Sequence, residues 1–292
     1  MKKYNLRTTK ENLMQTETIK TPFGLTTIKK IGHGSLENPS ILVLHGGPGY
    51  THDYLVEPLK SLSSDHSLIF YDQPTLTTTK DHAENFTPEF ICKHFKWLSH
   101  HLAKDKPLNI IAHSWGCLLF LASQADPSLS NEPSCEFSNC LLLNPTPVTS
   151  KKFAACSQNL MKRIAKLDKL KLLFWTLTRK EGSTIMKSLL PYYVMDHETI
   201  PQEEVALDTK TYLTLAQKLK KFDLSQSLPK LSKVKLVTCD HDFITLEQID
   251  DLTKAYPNIE TIENSGHFPF WEQPAEFNKI LQETFAQKSN QQ

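Results

Sequence analysis

Short apolar runs punctuate the first half of the chain: Ile41–Leu44, Leu68–Tyr71, 108–112 and 140–143, broken only at Asn109. They lack the apolar–polar alternation of half-exposed strands, and so predict strands buried on both faces of a mostly parallel sheet. Between two of them, Ile91, Phe95, Leu98 and Leu102 recur at helical spacing. Thr87 offers an N-cap and Pro88 a first-turn proline, which predicts a helix over 86–104. Leu55, Leu59 and Leu62 predict another helix after the first run. Upstream, Thr16, Thr18 and Ile19 lead into Thr21-Pro22-Phe23-Gly24, and Leu25, Thr27 and Ile28 leave it, the pattern of a hairpin over 14–31.

The strand–helix alternation stops near Val148. Leu160, Ile164, Leu167, Leu170 and Phe174 then fall on one helical stripe, and helical patterns persist to Pro229. Alternation resumes with a strand over Val234–Cys239, another over 258–263 and a helix over 274–286. This organisation predicts one α/β domain, 1–147 plus 230–292, interrupted by an inserted helical cap, 148–229.

Composition removes several classes of function. Lys+Arg is 33 against Asp+Glu 32, and only three of the bases are arginine, which argues against a nucleic-acid partner. The first eighteen residues are polar, so no signal peptide is expected. No apolar run approaches the roughly 18 residues of a membrane span. The six cysteines show no metal-ligand spacing, nor do the histidines, so neither metal nor cofactor is expected. Reduced thiols in a cytoplasmic enzyme are the expectation, with a Cys135–Cys140 disulfide as the alternative. Glycine is more informative: there are nine, against about twenty at an average usage of roughly 7%. Five of them (46, 47, 49, 116 and 266) sit in three short motifs.

The first motif is Ala112-His113-Ser114-Trp115-Gly116, between one apolar run and the next. Small residues two before and two after Ser114 suit a strand, a tight turn and a helix, with the serine at the apex. That is the nucleophile elbow of an α/β-hydrolase fold, a mostly parallel sheet flanked by helices. A serine hydroxyl needs an activating base, and reactive groups in open α/β sheets lie beyond the carboxyl ends of strands. Asp242 follows the 234–239 strand and His267 the 258–263 strand. The order Ser114, Asp242, His267 assigns nucleophile, orienting acid and general base. Asp240 is the rival acid, more naturally a loop or capping residue. His113 and His45 read as structural. For the oxyanion hole, the backbone N–H of Trp115 is one donor, and Gly47 in His45-Gly46-Gly47-Pro48-Gly49 is the other. A P-loop is excluded, because no Gly-Lys-Ser/Thr follows.

Together with Tyr71-Asp72-Gln73 and Ser265-Gly266-His267, these motifs resemble the proline iminopeptidase family. Its members are serine peptidases that release N-terminal residues, and tricorn-interacting aminopeptidases and small amino-acid amidases share most of the motifs. The resemblance covers roughly 36–147 and 229–285. It implies that Gly47 serves the oxyanion hole and that cap glutamates hold the substrate's α-ammonium group. Three departures stand out: the loop 74–79 has no glycine, and Ala112 and Cys117 occupy positions commonly glycine. The family's Gly-Pro-Asn-Glu-Phe segment is missing near Tyr212. Glu203 and Glu204 are the candidates to replace it, within an acidic stretch that includes Asp196, Glu198 and Asp208. The stretch 151–180 is basic, with nine Lys/Arg against Asp168, and reads as a solvated face. The expected activity is therefore that of a serine aminopeptidase acting on a short peptide or amino-acid amide. The alternatives are an esterase or non-peptide amidase of the same fold, and a non-catalytic ligand-binding homologue.

Overall fold

The computed structural model describes residues 14–32, 38–79, 84–177, 182–201, 205–219 and 221–286. Eight strands form one sheet: β1 (Met14–Thr21), β2 (Gly24–Ile31), β3 (Ile41–Leu44), β4 (Leu68–Tyr71), β5 (Leu108–His113), β6 (Phe137–Leu143), β7 (Val234–Cys239) and β8 (Ile259–Ile262). Their order is β1-β2-β4-β3-β5-β6-β7-β8. The hairpin β1–β2 joins β4 antiparallel, and every pairing from β4 onward is parallel.

Successive residues of a strand face opposite sides of its sheet. In β3, Leu42 and Leu44 enter one apolar core, while Ile41 and Val43 enter the other. Helices α2 (Pro88–Ala103) and α3 (Trp115–Ala125) supply Phe95, Leu98, Leu118 and Phe120 to the first core. The second receives Val56 and Leu59 from α1 (Val56–Leu59), and Phe277 and Ile280 from α10 (Pro274–Phe285). The expected cap of α2 forms, with Thr87 Oγ1 accepting the Phe90 N–H at 3.1 Å and Pro88 in the first turn.

Between β6 and β7 run α4 (Ser150–Arg163), α5 (Lys166–Leu177), α6 (Gly182–Leu189) and α7 (Thr209–Lys218). Two short helices, α8 (Asp250–Ala255) and α9 (Pro269–Glu272), flank β8. The inserted segment is tied to the sheet domain by Lys152, which pairs with Asp250 and Asp251, and by a bridge between Tyr50 and Leu207.

Three sequence expectations differ locally. The helix expected at Leu55–Leu62 is a 3-10 turn, the single turn α1 and a second 3-10 turn. Strand β6 starts three residues before Cys140, where Asn139 donates its backbone N–H and its amide to Asn109 Oδ1. The stripe from Leu160 to Phe174 is not one helix. Ile164 turns extended (ψ 127°) and is buried, after which Leu167, Leu170 and Phe174 on α5 are 73, 63 and 61% exposed. The apolar period runs on through the break, but the break swings the second half away from the core. All six cysteines are free thiols, so the Cys135–Cys140 pairing does not form. No helix among the described residues is long and apolar enough to cross a membrane.

Candidate active site

Ser114 stands between β5 and α3 with φ 54° and ψ −119°. A non-glycine residue in such a conformation costs about 1–3 kcal/mol, and it persists only where its surroundings leave no alternative. Here the Ser114 N–H is held by Leu143 O at 2.9 Å. Two residues on, a Cβ at Gly116 would sit 2.6 Å from Leu44 O and 2.8 Å from His45 O. Only glycine lets the start of α3 lie this close to the end of β3.

His267 and Asp242 come to Ser114 from the loops after β8 and β7. His267 Nδ1 lies 2.8 Å from Asp242 Oδ2, and its Nε2 lies 2.8 Å from Ser114 Oγ. All three residues are buried. A carboxylate only accepts, so the neutral ring carries its proton on Nδ1, and the Nε2 lone pair accepts the serine hydroxyl. The other carboxylate oxygen, Oδ1, accepts the Ile244 N–H at 3.2 Å. From α4, the Arg163 guanidinium donates to His241 O (2.8 Å) and Asp242 O (2.7 Å), bracing the loop that carries the acid. Asp240, the rival acid, instead accepts the N–H groups of Asn264 and Ser265 at 3.1 and 3.2 Å. It holds the loop leading to His267 and does not touch the ring.

The motifs around His45 and Gln73 form a scaffold. Gln73 donates its backbone N–H to His45 Nε2 (3.0 Å) and its side-chain amide to His45 O (2.8 Å), and its Oε1 accepts from Trp115 Nε1 (2.8 Å). One glutamine thus links the loop carrying Gly47 to the residue after Ser114. Gly47 has φ 133°, a conformation that L-residues rarely adopt. It lines the same cavity as Ser114. Trp115 heads α3, so its N–H has no acceptor within the helix.

A second network was not legible in the sequence. His113 Nε2 lies 3.0 Å from His267 O, an obligate acceptor, so that nitrogen carries the proton. His113 Nδ1 therefore accepts from Tyr54 Oη at 2.8 Å, and Tyr54 Oη itself accepts the Gly46 N–H at 2.6 Å. Burial, then the neighbouring His267, holds His113 well below its ordinary pKa, and burial lowers His45 to about 4. Both are neutral structural rings, as expected. Asn144, in a left-handed conformation at the end of β6, adds an amide donor to Gly266 O and His267 O. Glu272 accepts the N–H groups of Gly266, Met195 and Asp196. An asparagine directly after a buried strand was the one available signal. Nothing near Tyr54 or Glu272 marked either.

A cavity of about 140 Å³ opens onto Ser114, walled by Phe153, Leu160, Tyr193, Tyr212, Phe243 and Ile244. Glu203 and Glu204, the candidates for substrate binding, lie outside the described residues. Of the remaining acidic stretch, Asp196 and Asp208 cap the turn at Glu198 and the start of α7. The glycine-free loop 74–79 is braced by its own threonines and docks on α7, through Leu76 N–H to Thr211 Oγ1 and Thr77 Oγ1 to Asp208. No cluster of metal-ligating side chains occurs among the described residues.

The fold and the strand-end site define an α/β-hydrolase, and the chain belongs to that family: the model of the alpha/beta hydrolase family matches residues 41–280. Within it, the chain is similar to proline iminopeptidases. It is 37% identical to the proline iminopeptidase of Lactobacillus acidophilus over 106 residues, 35% of each chain. That match spans only about a third of the relative's length. Similarity to the proline iminopeptidase of Saccharolobus solfataricus runs over 89% of both chains at 22% identity. Among solved structures, a proline iminopeptidase-related protein of Thermus thermophilus superposes with a TM-score of 0.68 at 18% identity, covering 94% of this chain and 98% of that one.

Proposed function

We propose that this protein is a serine hydrolase that works through an acyl-enzyme on Ser114. The observation that carries the reading is the continuous hydrogen-bonded line from Ser114 Oγ through His267 to Asp242. His267 takes the serine proton as the hydroxyl attacks an acyl carbon and returns it to the leaving group. Asp242 fixes the ring's tautomer and stabilises the imidazolium. The N–H groups of Gly47 and Trp115 receive the negative charge that develops on the acyl oxygen. Water, activated by the same histidine, then releases the acid. Residues 148–229 act as a helical cap over a core built from 1–147 and 230–292. The cytoplasm, which suits six free thiols, is the proposed location.

The relatives support an aminopeptidase that removes N-terminal residues from short peptides. Under that reading Glu203 or Glu204 meets the α-ammonium, since a desolvated cation needs a carboxylate. The lining of the cavity favours a second reading, a hydrolase of esters or non-peptide amides.

Fluorophosphonate labelling tests the chemistry. Native protein should label and Ser114→Ala should not; equal labelling of both, or of neither, defeats the serine-hydrolase reading and leaves ligand binding without catalysis. Comparing prolyl- with N-acetyl-prolyl-nitroanilide tests the aminopeptidase reading, which predicts that acetylation abolishes turnover and that Glu203→Gln or Glu204→Gln impairs it.

A further inference from the structure

No described residue lining the cavity beside Ser114 carries a carboxylate, an ammonium or a guanidinium group. Apart from His113 and His267, the described lining holds no ionisable group other than phenols and one thiol: Tyr50, Tyr193, Tyr212 and Cys156. Burial raises the pKa of all three phenols above the ordinary value, and burial pushes the Cys156 thiol up to about 12, so each is neutral. Tyr50 Oη donates to Met186 Sδ at 3.1 Å and is also hydrogen-bonded to the Tyr193 side chain, so its polar end is already engaged. The rest of the wall is aromatic and aliphatic, with the hydroxyls of Thr146 and Ser157.

The described carboxylates near this region are engaged elsewhere. A second cavity, of about 610 Å³, shares Tyr50 with the first but does not include Ser114. Its two acids are Asp72, which accepts from the His52 N–H and faces His52 Nδ1 at 2.8 Å, and Asp208, which caps α7 and accepts from Thr77. Asp242 is bound to His267. An ammonium group carried into the Ser114 cavity would thus be desolvated with no described carboxylate to meet it, which strongly disfavours its binding.

Size limits the occupant as well. The cavity is about 140 Å³, close to the roughly 150 Å³ apolar cavity that holds one benzene. We infer that this cavity selects an uncharged, mainly apolar acyl group of about six non-hydrogen atoms, so that the substrates are esters or neutral amides of small carboxylic acids lacking a free α-ammonium. The inference rests on the serine-hydrolase reading and narrows its substrate class.

The test is an isosteric pair. The p-nitrophenyl esters of 2-methylpropanoic acid and of alanine differ by a methyl against an ammonium group. At pH 6 the amine is charged, since an α-amino group has a pKa of about 7.7. Wild-type kcat/KM should be at least ~100-fold higher for the 2-methylpropanoate, the scale set by burying an unpaired charge. The decanoate ester should fall at least ~10-fold below the butanoate, because its chain exceeds the cavity. Tyr212 lines the cavity wall, so Tyr212→Glu brings a carboxylate to the occupant and should shift the pair at least ~10-fold toward the alanine ester. Preference for the alanine ester, or no turnover of either ester by protein whose Ser114 still labels with fluorophosphonate, overturns the inference and leaves the serine-hydrolase reading intact. Failure to label overturns that reading and the inference together.

Discussion

Tyr54→Phe isolates the network that joins the Gly47 loop to the elbow. The substitution removes one oxygen and keeps the ring, whose edge packs against Phe268 and Tyr50. Two partners lose their bond: the Gly46 N–H at 2.6 Å and the Nδ1 of His113, which is 1% exposed. Leaving a buried donor or acceptor unsatisfied costs about 1–3 kcal/mol. Loss of the phenol's own desolvation offsets part of this, so a destabilisation of about 2–4 kcal/mol is expected. Gly46 precedes Gly47, so the loop should also loosen. The drop in kcat should be about 10-fold, short of the roughly 10²–10³ that follows removal of an oxyanion donor. Urea unfolding at constant m measures the first quantity, and turnover of p-nitrophenyl butanoate the second. Tyr256→Phe is the control. It deletes one hydroxyl, bonded to Pro229 O at 2.7 Å far from Ser114, and should cost about 1 kcal/mol with unchanged turnover. If the two variants unfold at the same urea concentration and turn over equally, the Tyr54 network does not hold the loop.

Two further predictions follow from the site and the core. Asp242→Asn should lower kcat by about 10⁴ through loss of the correct His267 tautomer, whereas Asp240→Asn should cost about 10-fold or less; comparable losses would return the choice of acid to Asp240. His45, His94 and His113 are buried, and burial lowers all three pKa values, His45 to about 4 and His94 to about 3. Below about pH 6.5 the unfolded chain binds protons that the native rings refuse, so stability is full above that pH and falls as the pH drops toward 4. Three such groups give a slope of about 4 kcal/mol per pH unit between pH 6 and 5. His94→Gln should reduce that slope by about a third, and a slope below about 1 kcal/mol per unit would show that the rings are protonated in the native protein.

Much of the sheet was readable because strand burial and turn chemistry are local. Four unbroken apolar residues in β3 can only be covered on both faces. Ser114, with Gly116 behind it, prescribes its own turn, and the strand-end rule points to Asp242 and His267 without any contact being known. The break at Ile164 was not readable, because helical periodicity continues across it and only packing decides where a helix stops. Glu203 and Glu204 rest on the resemblance and on their place in an acidic stretch, and they lie outside the described residues.

The sequence by itself determined the elbow at Ser114 and the two strand-end loops, 240–242 and 264–267, that meet it. Each follows from residues within a few positions of one another. Tertiary structure alone decided that Asp240 braces a loop while Asp242 meets the ring, and that Gln73 and Tyr54 fasten the Gly47 loop to the residues on either side of Ser114. It also decided that the described wall facing Ser114 holds no carboxylate or ammonium group. Hydrogen bonds between segments far apart in the chain, and the sign of charge inside a cavity, are fixed by which surfaces fold against each other, and no local pattern encodes that.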